Sequence, residues 1–254
     1  MKNIPNLVTL LNLLCGCLAI AFLLTEGMVL VSTPEGSVYF DLPASIGIAS
    51  YFIGVAAVLD FFDGFLARLL KADSSMGIQL DSLADVVTFG VAPGIILFSF
   101  LRLSWAAEMT ALDTSLIYLI PAFLVPLAAA WRLARFNITP SNPNCFEGVP
   151  SPAVGLTIAS FPLAYWMDSG SWMVELLQQS WFLYVVSLLL SLLMVVRWPM
   201  MTMKMTSFGW NENAPRYLFI LLAVGLGVWL RWSAALPVFA AYVILSLVFQ
   251  KRIR

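Results

Sequence analysis

Long apolar stretches constrain the fold of this sequence more than any other feature. A helix needs roughly 20 apolar residues to cross the hydrocarbon core of a bilayer. Runs of about this length occur at 6–24, 44–67, 83–101, 114–134, 152–167, 180–198, 215–231 and 233–249. The run at 152–167 is short and contains Pro162, and the runs after residue 200 leave room for a smaller count of spans. We therefore predict an all-α, polytopic integral membrane bundle of about eight transmembrane helices.

Composition supports the membrane class and removes several kinds of chemistry. Hydrophobic residues make up 61% of the chain and charged residues 11%, against about 25% charged in soluble domains. A net charge of −1 excludes the basic surface that nucleic-acid binding requires. The chain has no histidine and three cysteines, which is too few for a zinc site or a disulfide framework. Its chemistry must therefore come from carboxylates, hydroxyls, arginine or lysine.

The distribution of basic residues predicts the orientation in the membrane. With a cytoplasmic N-terminus, eleven of the 13 Lys and Arg residues fall in cytoplasmic segments, and only Arg102 and Arg231 fall outside. Such a bias is typical of cytoplasmic loops. We predict a multi-pass protein of the cell (inner or plasma) membrane with both termini on the cytoplasmic side.

Four aspartates lie close together at the cytoplasmic ends of two predicted spans. Asp60 and Asp63 are three residues apart, and Asp81 and Asp85 are four apart, so each pair occupies one helix face. A short connection makes the two helices antiparallel neighbours, so both faces can meet near the membrane surface. Solvated helix ends, paired locally with Arg68 and Lys71, are one interpretation. A divalent cation site is the more specific interpretation, because oxygen ligands without His or Cys suit Mg²⁺, Mn²⁺ or Ca²⁺.

Small residues complete an ordered motif around these acids. The order is Asp60-x₂-Asp63-Gly64-x₂-Ala67-Arg68-x₈-Gly77-x₃-Asp81-x₃-Asp85. It resembles in full the signature of the CDP-alcohol phosphotransferase family. The resemblance implies a membrane enzyme whose spans surround a polar cavity open to the cytoplasm. It also implies transfer of a phosphoalcohol group from a CDP-linked donor to a hydroxyl acceptor, with release of CMP.

Flanking segments are similar to one branch of that family, the membrane-embedded phosphatidylserine synthases of bacteria and archaea. These segments are residues 4–16, 81–93, 132–137 and 146–152. The branch implies CDP-diacylglycerol as donor, L-serine as acceptor and a homodimer. It also implies a single membrane domain, 1–254, with a six-helix core over about 1–200 and two additional helices over 201–254.

The resemblance assigns expected roles to individual residues. Metal ligands are expected at Asp60, Asp63, Asp81 and Asp85, holding one or two Mg²⁺ or Mn²⁺ ions, with Asp85 also a candidate catalytic base. The CDP and pyrophosphate groups are expected at Asn6, Thr9, Gly64, Ala67, Arg68, Gly77 and Ser82. Serine or a lipid phosphate is expected at Arg132, Arg135 and Glu147, although the two arginines also suit interfacial anchoring.

Two alternatives remain open at the level of sequence. Another member of the family would use glycerol 3-phosphate or inositol phosphate as acceptor, and such anionic acceptors favour more basic residues around the site. A divalent-cation transporter would also place acids in the membrane, but it would more naturally show inverted repeats and a site at the midplane.

Overall fold

Helices dominate the computed structural model, which describes residues 4–32, 38–70, 74–109, 114–138, 146–202 and 210–249. The α-helices are α1 (Ile4–Thr25), α2 (Ser45–Leu70), α3 (Ser75–Asp85), α4 (Ala92–Met109), α5 (Leu124–Ile138), α6 (Ser151–Met167), α7 (Trp172–Leu177), α8 (Ser180–Val195), α9 (Trp210–Leu230) and α10 (Ala235–Val248). A π-helical segment occupies Val86–Val91, and 3-10 turns occupy Leu116–Tyr118, Ile120–Phe123 and Arg231–Ala234. Two short antiparallel ladders pair β1 (Val29–Ser32) with β2 (Val38–Asp41) and β3 (Phe146–Glu147) with β4 (Pro199–Met200).

Four helical stretches of the described chain are long and apolar enough to cross a membrane. They are Ile4–Thr25, Ser45–Leu70, Ser75–Ala106 and Asn213–Val248. At 1.5 Å per residue, the 22 residues of α1 extend about 33 Å, which matches a hydrocarbon core of about 30 Å. The prediction of an all-α membrane protein is confirmed. Helices α5, α6 and α8 have 15, 17 and 16 residues, so a count of eight spans stays a prediction.

The last stretch, α9 through α10, is a helical hairpin rather than one straight rod. Arg231 between them has φ 51°, a left-handed conformation that an α-helix cannot contain. The rings of Phe219 and Tyr242 consequently meet at a centroid distance of 5.7 Å. Phe239, Tyr242 and Val243 of α10 join the same hydrophobic core as the preceding helices.

Glycines let three helices approach the π-helical segment closely. A Cβ on Gly16 of α1 would lie 2.4 Å from Thr88 Oγ1, and a Cβ on Gly155 of α6 would lie 2.9 Å from Phe89 Cα. Gly90 lies within the segment and packs closely against α5, because a Cβ added to it would lie 3.3 Å from Pro126 Cα. Thr88 and Phe89 are fully buried. The segment that follows Asp85 is therefore fixed at the centre of the bundle.

Aspartates lie at both ends of the bundle. The end formed by the start of α3 and the end of α2 carries Asp63 and Asp81, and the buried Arg132 joins it by donating to Ser151 Oγ at 3.4 Å. At the opposite end, the hydroxyl of Tyr165 donates to Asp41 Oδ1 at 2.6 Å. Asp168 Oδ2 there accepts from the backbone N–H of Ser233 at 2.9 Å. The aspartates at the opposite end therefore have hydrogen-bond partners of their own and lie apart from the cluster of Asp60, Asp63 and Asp81.

Candidate active site

Two helices bring the acidic side chains together, and a third adds a hydroxyl. One carboxylate oxygen from each of Asp60, Asp63 and Asp81 lies within 4.8 Å of the other two. Asp60 and Asp63 come from the last turns of α2, and Asp81 comes from α3. Thr9 of α1 adds a hydroxyl that donates to Asp63 Oδ2 at 2.7 Å. The convergence predicted from the spacing is thus present in the structure.

The helix that carries Asp81 and Asp85 begins earlier than the apolar run 83–101. Ser74 caps α3 by accepting the N–H of Gly77 at 3.0 Å, a standard way to satisfy a free N-terminal donor. Asp81 consequently lies almost two turns inside the helix, and Asp85 is its last α-helical residue. Hydropathy missed this start because the first two turns of α3 lie outside the apolar core of the span.

The cluster can accommodate a divalent cation. Ligand oxygens on opposite sides of a Mg²⁺ ion are about 4.2 Å apart, twice the usual Mg–O distance, so the observed spread of the three oxygens is close to that of a ligand set. Asp81 Oδ1 and Asp85 Oδ1 are buried and have no hydrogen-bond partner among the described residues. Buried carboxylate oxygens without partners are costly unless a cation compensates them.

Asp85 occupies the innermost position of the four. It is 6% exposed and interacts electrostatically with Asp60, Asp81 and Asp63, and also with the guanidinium of Arg132. Arg132 is 7% exposed, and its Nε has no hydrogen-bond partner among the described residues. The inner part of the site therefore places one buried cation near Asp85 and leaves buried polar atoms without protein partners among the described residues.

A cleft opens beside the acids, between α1, α2 and α3. Its walls are formed by Pro5, Asn6, Thr9, Asp63, Gly64, Ala67, Ser74, Gly77, Ile78 and Asp81. Two glycines keep it open: a Cβ on Gly77 would lie 3.0 Å from Asn6 Oδ1, and one on Gly64 would lie 3.6 Å from Arg68 Nη1. Five of the seven predicted nucleotide-binding residues thus line the cleft, and Arg68 reaches back over Gly64.

The remaining predicted residues are placed differently. Ser82 faces α5, where its Oγ accepts from Asn137 Nδ2 at 3.0 Å. Arg135 donates from Nη1 to the carbonyl of Val195 at 2.7 Å. Glu147 is exposed and belongs to the short strand β3. Roles for these three residues in binding stay predictions.

Sequence reasoning missed one polar residue at the centre of the bundle. Asn12 is completely buried, and both polar atoms of its side-chain amide lack a hydrogen-bond partner among the described residues. Its backbone carbonyl accepts from the hydroxyl of Thr88 at 3.4 Å, and Thr88 lies about one turn beyond Asp85. A polar residue in the middle of an apolar span was the available signal, because such residues need a partner inside the membrane.

Comparison with known proteins agrees with this geometry. A sequence model of the CDP-alcohol phosphatidyltransferase family matches residues 2–249. A CDP-diacylglycerol–serine O-phosphatidyltransferase of Mycobacterium leprae (strain TN) is 31% identical, over 88% of this chain and 68% of its own. An enzyme of the same name from Bacillus subtilis (strain 168) is 35% identical over 65% of this chain and 78% of its own length. An archaetidylserine synthase of Methanothermobacter thermautotrophicus is 33% identical over 50% of this chain and 51% of its own length.

The chain belongs to the CDP-alcohol phosphatidyltransferase family. It is therefore a membrane enzyme of the transferase class, as the Asp-Gly-Ala-Arg motif predicts. The family generally uses divalent metal ions, and the acidic triad of Asp60, Asp63 and Asp81 is able to hold one. The family match favours a transferase over the cation transporter considered above.

Proposed function

We propose that the protein is a CDP-diacylglycerol–serine O-phosphatidyltransferase of phospholipid biosynthesis. The observation that carries the proposal is the acidic triad at the edge of the cleft, with its three oxygens within 4.8 Å. Relatives that carry this name are 30–35% identical over most of the chain. The reaction would join the phosphatidyl group of CDP-diacylglycerol to the hydroxyl of L-serine, giving phosphatidylserine and CMP.

A divalent ion, Mg²⁺ or Mn²⁺, would be held by Asp60, Asp63 and Asp81, with Asp85 as a possible fourth ligand. When bound, it would neutralise charge on the diphosphate, which is the main requirement of phosphoryl transfer. The Thr9 hydroxyl, which donates to Asp63 Oδ2, would hold that carboxylate in one orientation. Partners of this kind fix the geometry of metal ligands.

The donor nucleotide would occupy the cleft beside the triad. Gly64, Ala67 and Gly77 lack bulky side chains, so the diphosphate can approach the helix backbones. The guanidinium of Arg68, close above Gly64, would pair with a phosphate. Asn6 and Thr9 would offer hydrogen bonds from α1, and Ser82 is proposed to contribute from the α5 side.

The acceptor would reach the phosphorus from the inner side of the triad, where Asp85 and Arg132 lie. The serine hydroxyl oxygen would form a bond to the phosphorus that bears the diacylglycerol. The bond from that phosphorus to the bridging oxygen would break, CMP would leave with the bond's electron pair, and Asp85 would take the hydroxyl proton. Arg132 would pair with the serine carboxylate. Arg135 and Glu147 are proposed to assist at the entrance.

The site would face the cytoplasm, which would supply serine and receive the released CMP. The positive-inside bias supports this orientation, although Lys2, Lys71, Lys204, Lys251, Arg252 and Arg254, which contribute to it, lie outside the described residues. We also propose location in the cell membrane, one membrane domain with a six-helix core over about 1–200, and assembly as a homodimer.

Release of CMP tests the proposal directly. The purified protein is given CDP-diacylglycerol with Mg²⁺ or Mn²⁺, and L-serine, glycerol 3-phosphate or inositol phosphate as acceptor. We expect release only with serine, and its loss on addition of a chelator. Release with another acceptor would overturn the serine assignment and retain the nucleotide site, whereas no release with any acceptor would overturn the proposal as a whole.

A further inference from the structure

A second cavity lies at the end of the bundle opposite the aspartates. It has a volume of about 400 Å³ and is bounded by the end of α1, the start of α2, residues 95–102 of α4 and Phe123. Most of its wall is apolar, with Leu23, Ile46 and Ile95 among the lining residues. The volume is in the range of small-molecule sites. Water is a poor occupant of a cavity with apolar walls, so an apolar group is the better fit.

Two opposite charges line the same cavity and do not pair with each other. Arg102 and Glu26 both border it, and neither forms an ion pair or a hydrogen bond within the described part of the chain. An arginine at this depth can extend to water as an interfacial anchor. Glu26 is exposed, so both charges lie at the mouth of the cavity and are available to a ligand.

A buried hydroxyl adds an independent polar group. Ser45 lines the cavity at the start of α2, is 8% exposed, and its Oγ has no hydrogen-bond partner among the described residues. A buried hydroxyl without a partner costs free energy. The cavity therefore offers a cation, an anion and a free hydroxyl above an apolar interior.

We propose that this cavity binds an aminophospholipid, one whose head group carries a phosphate and a primary ammonium. Arg102 would pair with the phosphate, Glu26 with the ammonium, and Ser45 would donate to an ester or phosphate oxygen. One acyl chain would fill the apolar interior along α1, α2 and α4. The site is separate from the proposed active site and does not depend on the reaction assigned to it.

Lipid binding by the purified full-length protein tests the proposal. Native mass spectrometry in a mild detergent would measure the affinity for dioleoyl phosphatidylethanolamine, phosphatidylglycerol and phosphatidylcholine in separate titrations. Phosphatidylethanolamine is the probe because it is not a product of the proposed reaction. Glycerophosphoethanolamine, the head group without acyl chains, tests whether the apolar interior contributes.

We expect one phosphatidylethanolamine to bind at least fivefold more tightly than either other lipid, and the chain-free head group not to bind at the same concentrations. Arg102→Gln should weaken phosphatidylethanolamine at least fivefold. Glu26→Gln should abolish the preference over phosphatidylglycerol, and as an exposed substitution it leaves the fold intact. Arg231→Gln is the matched control, because it removes the same charge at the same end of the bundle without bordering the cavity.

Three results would overturn the proposal. The first is equal affinity of the wild type for the three lipids. The second is unchanged phosphatidylethanolamine affinity in both Arg102→Gln and Glu26→Gln. The third is an equal loss in Arg231→Gln, which would indicate general surface electrostatics rather than this cavity.

Discussion

Thr9 Oγ1 and Asp63 Oδ2 are joined by a hydrogen bond of 2.7 Å that links the first helix of the chain to the second. Both residues are buried. The bond connects a neutral hydroxyl to a carboxylate of the proposed metal site. It is therefore a route by which α1, which contributes no acid to the cluster, can control the position of a ligand.

Substitution of Thr9 by valine tests this connection. The valine keeps the shape of the side chain and removes the donor. Loss of a partner of a metal ligand typically weakens metal affinity about 10–100-fold, so we expect the Mg²⁺ concentration for half-maximal activity to rise by about that factor. Thr9→Ser is the control, because it keeps the hydroxyl and should stay close to the wild type. An unchanged metal dependence in Thr9→Val would contradict the proposed role.

The four aspartates should separate into two classes when each is replaced by asparagine. Asp60→Asn, Asp63→Asn and Asp81→Asn should weaken Mn²⁺ binding, measured by electron paramagnetic resonance, and abolish CMP release. Asp85→Asn should retain most Mn²⁺ binding if Asp85 is the base, while kcat falls about 10²–10⁴-fold, the usual contribution of general base catalysis. Full activity in any one of the four variants would refute a shared site.

Arg132 and Arg135 should respond differently to replacement by glutamine. Arg132 is buried and interacts electrostatically with Asp85, and we propose that it pairs with the acceptor carboxylate. Arg132→Gln should therefore raise KM for the acceptor by at least tenfold, since a charge-assisted hydrogen bond is worth about 1.5–3 kcal/mol. Arg135 holds the carbonyl of Val195, so Arg135→Gln should mainly lower the thermal unfolding midpoint. A KM for the acceptor that stays at the wild-type value in Arg132→Gln would contradict the role proposed for Arg132.

Gly155→Ala should destabilise the fold through the π-helical segment. The added methyl group would meet Phe89 Cα and Cβ at 2.9 Å, and overpacking of this kind costs about 1–3 kcal/mol. We expect a lower unfolding midpoint in detergent. Gly54→Ala in α2 is the matched control, because a Cβ there meets nothing within 4 Å and alanine is the better helix former by about 1 kcal/mol. A midpoint for Gly155→Ala at or above that of Gly54→Ala would contradict the packing argument.

The sequence predicted the helical membrane class and the meeting of Asp60, Asp63 and Asp81. Both depend on local periodicity, because residues three or four apart share a helix face whatever surrounds the helix. The placement of Ser82 against Asn137 could not be predicted, since it depends on how α3 and α5 are rotated relative to each other. The ladder between Val29–Ser32 and Val38–Asp41 was also missed, because each strand has only four residues and β pairing depends on context.

The π-helical turn at Val86–Val91 sets the angular phase between the two halves of a continuous helical rod. Successive α-helical residues are rotated by about 100°, and a π-helical turn holds more residues than an α-helical one. The six residues of this turn therefore advance around the axis about as far as five α-helical residues would, so deleting one of them would let the rod revert to a regular helix with Arg102 close to its present direction relative to Asp81 and Asp85. A one-residue insertion or deletion elsewhere in the rod would instead rotate Arg102 by about 100° relative to the two acids. Asp85 lies about 26 Å from Arg102 along the rod at 1.5 Å per residue. Insertions or deletions between Asp85 and Arg102 but outside this turn are therefore expected to be far less tolerated than substitutions or than a one-residue deletion within the turn.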